Sequence, residues 1–203
     1  ELIGMGLDRF DYTKGIPNRL RAIDKFFEKY PGYKGKAVFI QVGVPSRVHI
    51  PADKEISEEI DSLVEEVNWK YGAWHWKPII YLKEYLSPTT LMALRRMADF
   101  CIVSSLHDGM NLVAKEFVAS RFDENGVLIL SPFTGASGEL NDALLVNPYA
   151  TDYFAKAIKE ALEMSQAEKQ KRMRKMREVV RENNIYKWAA DIISESVNFE
   201  LGA

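Results

Sequence analysis

Residues 101–117, CIVSSLHDGMNLVAKEF, hold a strand, a turn and a helix in one short span. Cys101-Ile102-Val103 is a short apolar run that stops at two serines. The chain then passes through His107-Asp108-Gly109 and becomes helical, with Lys115 and Glu116 one turn past the helix start. A buried strand that hands over to a helix through a polar turn is the basic unit of an α/β fold.

The unit recurs along the chain. Strand-like runs are expected at 2–7, 36–44, 78–82, 100–104, 126–131 and 143–148. Helices are expected at 16–30, 53–71, 88 to about 97 and 111 to about 121. Ser87-Pro88 supplies an N-cap and an N1 proline. The run KAVFIQVGV at 36–44 is continuously apolar and β-branched, the pattern of a strand covered on both faces. After Pro148 three helices follow: one capped by Thr151 or Asp152, a second opened by the capping box Ser165-Gln166-Ala167-Glu168, and a third over 185–199. The rhythm predicts a doubly wound parallel sheet in one domain over 1–203, with carboxyl-terminal helices from 165 onward.

Composition narrows the function. The chain has 203 residues, 47% hydrophobic and 28% charged, which suits one sizeable core. A formal charge of −2 gives no electrostatic reason to expect nucleic acid. The basic run KQKRMRKMREVVR (169–181) keeps Met173, Met176 and Val180 at helical spacing, which makes it a solvated surface helix. No apolar run reaches the ~20 residues of a membrane span. Cys101 is the only cysteine, so no disulfide is expected and a reducing cytoplasm is the simplest location. His49, His75 and His107 are scattered, and no metal site is expected. The opening ELIGMGLDRF has no initiator methionine and reads as part of a longer protein.

In a doubly wound sheet, ligands bind at the carboxyl ends of the strands. Gly4-Met5-Gly6 suggests a dinucleotide fingerprint, but Arg9 stands at the sixth position and no helix follows directly. DRFDYTKGIPNRL (8–20) carries Arg9 and Lys14 after the first strand. Two cations there suit a diphosphate; equally, Arg9 could pair with Asp8 or Asp11 and Lys14 stay solvated. Arg47 and His49 lie in another post-strand loop. Asp108-Gly109 could hold sugar hydroxyls or simply form a turn, and Glu116 could hold a ribose diol or be solvated. The amides of 111–113 start a helix and suit an anion. SPFTGASGEL (131–140) is either a pocket wall or a plain turn.

Together, GLDRFDYTKGIPNRLRAIDKFFEKYP, VPSR, LHDGMNLVAKEFVAS, LILSPFTGASGEL and LLVNPYATDYFAKAIKEALEMS resemble, in order and spacing, the trehalose-6-phosphate synthases. These are retaining glycosyltransferases that move glucose from UDP-glucose to glucose 6-phosphate. The resemblance implies the Rossmann-like, donor-binding carboxyl-terminal domain of a two-domain GT-B type enzyme, whose amino-terminal domain supplies most acceptor contacts. It implies that Arg9 and Lys14 hold the donor diphosphate and that Asp108 contacts the transferred glucose; these three are the candidate catalytic residues. The backbone of Gly109, Met110, Asn111, Leu112 and Val113 would line the sugar and phosphates. Ala114 and Lys115 belong to the same donor-binding stretch, and Glu116 matches the ribose-binding glutamate. Leu86 falls where main chain lies near the uracil, and Arg47 matches an arginine that reaches the acceptor phosphate.

No metal, cofactor or protein nucleophile is implied, and a homo-oligomer is compatible with the resemblance. The chain departs from the family at His107, where most members carry Arg, in VHIPADKE after Arg47, and in VNWKYG for a common INGRFG. Two alternatives remain open. One is a sister transferase such as glucosylglycerol-phosphate synthase, using ADP-glucose and glycerol 3-phosphate. The other is a non-catalytic nucleotide-sugar-sensing homologue. A phosphatase is set aside, since DRFD has the wrong spacing for an Asp-x-Asp motif.

Overall fold

A computed structural model gives the backbone of residues 1–44 and 51–201, and the side chains of 1–44 and 54–197. Arg47 and His49 lie outside the described residues. The apolar runs form six parallel strands: β1 (Leu2–Arg9), β2 (Ala37–Val44), β3 (Ile79–Leu82), β4 (Phe100–Val103), β5 (Val127–Leu130) and β6 (Leu144–Leu145), in the order β3-β2-β1-β4-β5-β6. β1 and β2 pair along their whole lengths, from Leu2↔Ala37 to Arg9↔Val44. The helices are α1 (Ile16–Lys29), α2 (Pro51–Tyr71), α3 (Pro88–Met97), α4 (Leu112–Ser120), α5 (Thr151–Glu163), α6 (Gln166–Glu182) and α7 (Ile185–Leu201). None is long and apolar enough to cross a membrane, among the described residues.

Successive strand residues point to opposite faces, and each face has its own core. Phe39, Phe100, Ile102 and Ile129 meet α1 and α5 through Phe26, Phe27, Phe154 and Ile158. Met5, Leu7, Val103, Leu128 and Leu130 meet α4 and α6 through Phe117, Val118, Met173 and Met176. Burial on this scale contributes about 1.5–3 kcal/mol per large side chain. Phe39 stacks edge-on against Phe100 at 5.8 Å and against Phe27 at 5.7 Å. Met173 and Met176 are the buried stripe of the basic helix, whose charges face water, as the spacing predicted. Cys101 is fully buried, and burial pushes its thiol up to about 12.

The structure corrects three local expectations. β6 is two residues long because Asn147 turns the chain, its carbonyl accepting from Ala150 N and its side chain from Tyr149 N. Neither Thr151 nor Asp152 caps α5; the N-cap is Ala150, and Asp152 spends its carboxylate on Lys29. Ser165 does cap α6, accepting from Glu168 N, but the Glu168 carboxylate goes to Arg172.

The topology sets the site. α1 leaves β1 toward one face of the sheet and α4 leaves β4 toward the other. β1 and β4 are neighbours, so their carboxyl ends part and leave a crevice at the point where strand order reverses.

Candidate functional site

Two loops meet across that crevice. The first follows β1. Asp11 shapes it by accepting from Thr13 N at 2.9 Å and Thr13 Oγ1 at 2.8 Å. Burial raises the Asp11 carboxyl, but these bonds, with the fields of Lys14 and Arg9, hold it below its ordinary value. Gly15, with φ 61°, then starts α1. The second loop follows β4 and is sewn to the first where Leu106 N donates to Thr13 O at 2.6 Å.

Lys14 Nζ lies 2.7 Å from Asp108 Oδ2, a contact between residues 94 apart, with both side chains about 15% exposed. Lys14 is therefore neither solvated nor remote from the Asp-Gly bend. Asn111 Nδ2 and Ser105 Oγ also reach Asp108 Oδ2, at 3.0 and 3.4 Å. Burial pushes the Asp108 carboxyl up, but Lys14 and Asn111 outweigh it and hold the group below the ordinary aspartate value. It is an anion with an adjoining cation.

Arg9 ends β1, exposed, and enters no ion pair among the described residues. The alternative pairing with Asp8 or Asp11 is not seen: Asp8 meets Arg19, and Asp11 is taken by Thr13. Arg9 is free to meet an anion.

The bend over residues 108–111 takes its shape from Asn111. Gly109 is not left-handed; Asn111 is, with φ 76°, a conformation that Asn tolerates better than most residues. Its Oδ1 caps α4 by accepting from Ala114 N at 3.0 Å. The amides of Leu112 and Val113 are left without intrahelical acceptors at the positive end of the helix dipole.

The 131–140 loop buttresses this bend. Asp108 N donates to Phe133 O, Gly135 N to Asp108 O, and Ala136 N to Met110 O. A Cβ on Gly135 would sit 2.1 Å from the Gly109 carbonyl oxygen. The Gly109 oxygen and its carbonyl carbon, the latter 2.9 Å from that Cβ, both belong to backbone, so no flexible side chain can yield. Gly135→Ala is expected to lower stability by about 1–3 kcal/mol, read from urea unfolding, and an unchanged midpoint would show that the two loops are not locked together.

Glu116, half-exposed, pairs with the largely buried Arg95 of α3. Lys115 pairs with Glu139 at 2.8 Å, and Asn183 holds the same carboxylate at 3.0 Å. Lys115 and Glu139 line a cavity of about 490 Å³ with Met110, Leu112 and Trp188, so the Lys115 charge is already matched. Leu86 packs half-buried against the α4 face of the sheet. Thus Lys14, Asp108 and Asn111 converge directly, Arg9 and the α4 amides stand at the ends of the same two strands, and Lys115 and Glu116 are held by neighbours on α4's flank. Sequence reasoning missed Arg19, Arg95 and Ser105; the two arginines lie in helices and their partners are far away in the chain, whereas Ser105 meets Asp108 and Asn111 within its own loop. Among the described residues no group of three or more His, Cys, Asp or Glu could hold a metal ion.

Residues 2–198 match the family described as glycosyltransferase family 20. The chain is 46% identical over 187 residues to the bifunctional trehalose-6-phosphate synthase/phosphatase of Thermoproteus tenax, covering 92% of this chain and 26% of that protein. A structure from E. coli bound with UDP-2-fluoro glucose matches with a TM-score of 0.93 and 39% identity, covering 96% of this chain and 43% of that one. An alpha,alpha-trehalose-phosphate synthase (UDP-forming) from Burkholderia xenovorans, in complex with glucose-6-phosphate, matches at 0.94 and 37%, with the same coverage. The shared fold is the α/β parallel sheet of a GT-B type carboxyl-terminal domain. The chain spans about a quarter to under half the length of these relatives.

Proposed function

The chain belongs to glycosyltransferase family 20, and from that premise we propose that it is the donor-binding domain of a retaining glucosyltransferase. In this reading it binds UDP-glucose. Together with an amino-terminal domain that brings most acceptor contacts, it transfers glucose to glucose 6-phosphate, giving trehalose 6-phosphate. The observation that carries this reading is the seam between β1 and β4. It holds an exposed cation (Arg9), a pre-placed cation–anion pair (Lys14–Asp108, 2.7 Å) and a helix N-terminus, all within a region that the family match spans.

Each part has a distinct task. Negative charge grows on the diphosphate as the glycosidic bond breaks. Arg9 and the amides of Leu112 and Val113 offer it fixed positive charge, with little reorganisation at the moment of reaction. Lys14, already desolvated beside Asp108, adds a second cation. Asp108, held ionised, accepts hydrogen bonds from sugar hydroxyls. The departing phosphate oxygen would take the acceptor's proton on the face it leaves, which retains the anomeric configuration. Metal ions and protein nucleophiles have no part in this scheme. Glu116, oriented by Arg95, would meet the ribose, and Arg47 the acceptor phosphate.

Calorimetric titration of this chain with UDP, ADP and GDP tests the donor. UDP is expected to bind, at Kd of order 10⁻⁴–10⁻³ M (about 4–5.5 kcal/mol), more tightly than the other two. Preference for ADP would move the reading to a sister transferase, and no binding of any of the three would remove it. The chain alone should form no product from UDP-glucose and glucose 6-phosphate.

A further inference from the structure

The Gly4-Met5-Gly6 motif has no role in the donor site, yet its second glycine leads to a buried charge beneath it. On β1, Gly4, Gly6 and Asp8 follow Leu2 on the face toward α1. A Cβ on Gly4 would strike the Phe100 ring at 2.4 Å, and one on Gly6 would lie 1.9 Å from Arg19 Nη1. The glycines make room for a ring and a guanidinium, which explains the G-x-G spacing without a dinucleotide.

Arg19, 1% exposed, is the largest fully buried side chain of the described residues. Its Nη1 donates to Gln41 Oε1 at 2.8 Å and lies 2.8 Å from Asp8 Oδ2, though not aligned with it as a hydrogen bond. Its Nε and Nη2 both donate to Ser104 Oγ, at 3.1 and 2.9 Å. With both lone pairs of its hydroxyl taken, Ser104 must donate outward. It reaches the carbonyls of Gly15 at 3.1 Å and Lys14 at 3.3 Å. One hydroxyl therefore links the guanidinium to the backbone of the candidate diphosphate lysine. Ser104 also follows directly on β4, four residues before Asp108.

A buried ion pair is weak evidence for stability, since an apolar core of the same volume often does as well or better. What this network offers is geometry. The planar fork of Arg fixes the Ser104 rotor, and that rotor fixes the β1–α1 loop against the end of β4. We propose that Arg19 is a positioning residue that acts through Ser104 to set the separation of Lys14 and Asp108, an inference that rests on the donor-site reading above. A shift of about 1 Å at such a site is enough to cost on the order of 10²-fold in rate.

The test uses Arg19→Lys, Ser104→Ala and Ile23→Val, the last a core control in the same helix. UDP affinity is measured by calorimetry, and amide exchange at Leu106, which donates to Thr13 O across the two loops, by mass or magnetic resonance. Arg19→Lys keeps a cation beside Asp8 but loses the fork; Ser104→Ala keeps the guanidinium but cuts the link. Both should weaken UDP binding at least tenfold and speed Leu106 exchange at least tenfold, while Ile23→Val lowers the melting temperature and changes neither. UDP binding equal to the parent's in both folded variants overturns the proposal. If Arg19→Lys fails to fold, Ser104→Ala decides alone. If the parent itself binds no UDP, the donor reading fails. Leu106 exchange then still decides: acceleration supports a role for Arg19 in setting the loops, and unchanged exchange ends it.

Discussion

Arg9→Ala, placed in a protein that also carries the proposed amino-terminal domain, is expected to cut kcat for the proposed glucosyl transfer by about 10²–10³-fold, the usual cost of removing one preorganised donor from a developing anion. The expectation follows from what Arg9 does not do. It is exposed at the end of β1 and enters no ion pair among the described residues. Its loss should therefore leave stability within about 0.5 kcal/mol, and urea unfolding of the variant should overlay the parent. Asp8 does not depend on it, since Arg19 lies 2.8 Å away. A fall in turnover with no fall in stability separates a chemical role from a structural one. Arg9→Lys should recover only part of the rate, because an ammonium cannot present two parallel donors to neighbouring phosphate oxygens. Near-normal turnover in Arg9→Ala would refute the diphosphate role.

The sheet was legible in the sequence because its signal is local. KAVFIQVGV, PIIYL and GVLILS are apolar runs of strand length, and helical periodicity fills the gaps between them. The direction of the crevice was legible too, since parallel order alone puts all strand ends on one rim. Long-range pairing was not. An Arg in PNRLRAIDK reads as solvent-facing, and nothing nearby shows that Gly6 on another element has vacated space for it. The Lys14–Asp108 contact joins two segments 94 residues apart, and only the adjacency of β1 and β4 brings them together. The left-handed residue of this bend was not legible, since Gly109 is the more permissive residue by type. Asn111 holds that conformation because its side chain both caps α4 and donates to Asp108. For Glu116 both a ribose-binding and a solvated role stood open for want of a visible partner, and Arg95 provides one from α3.

The Lys14–Asp108 pair yields the second large effect, and it has a pH signature. Asp108→Asn keeps the shape and one acceptor oxygen but removes the charge. A hydrogen bond to a charged group is worth about 1.5–3 kcal/mol, so kcat/KM in the joined protein should fall roughly 10–150-fold from loss of the proposed sugar contact alone. Lys14, only 16% exposed in its side chain, then has no counter-charge, which should cost a further ~1–3 kcal/mol of stability. The sign of the pH dependence follows from the carboxyl itself. Burial raises it, Lys14 and Asn111 lower it more, and its folded value lies below the ordinary 3.8. The parent's extra stability is therefore fully present above that ordinary value and is lost as pH falls through the depressed one. The stability gap between parent and Asp108→Asn should be flat from about pH 8 to pH 5 and should close below about pH 4. Urea unfolding across that range measures it. A gap that closes near neutral pH would mean that burial, not Lys14, governs Asp108. The residue would then enter the reaction as a neutral acid, and the pre-placed ion pair on which the donor site depends would not exist.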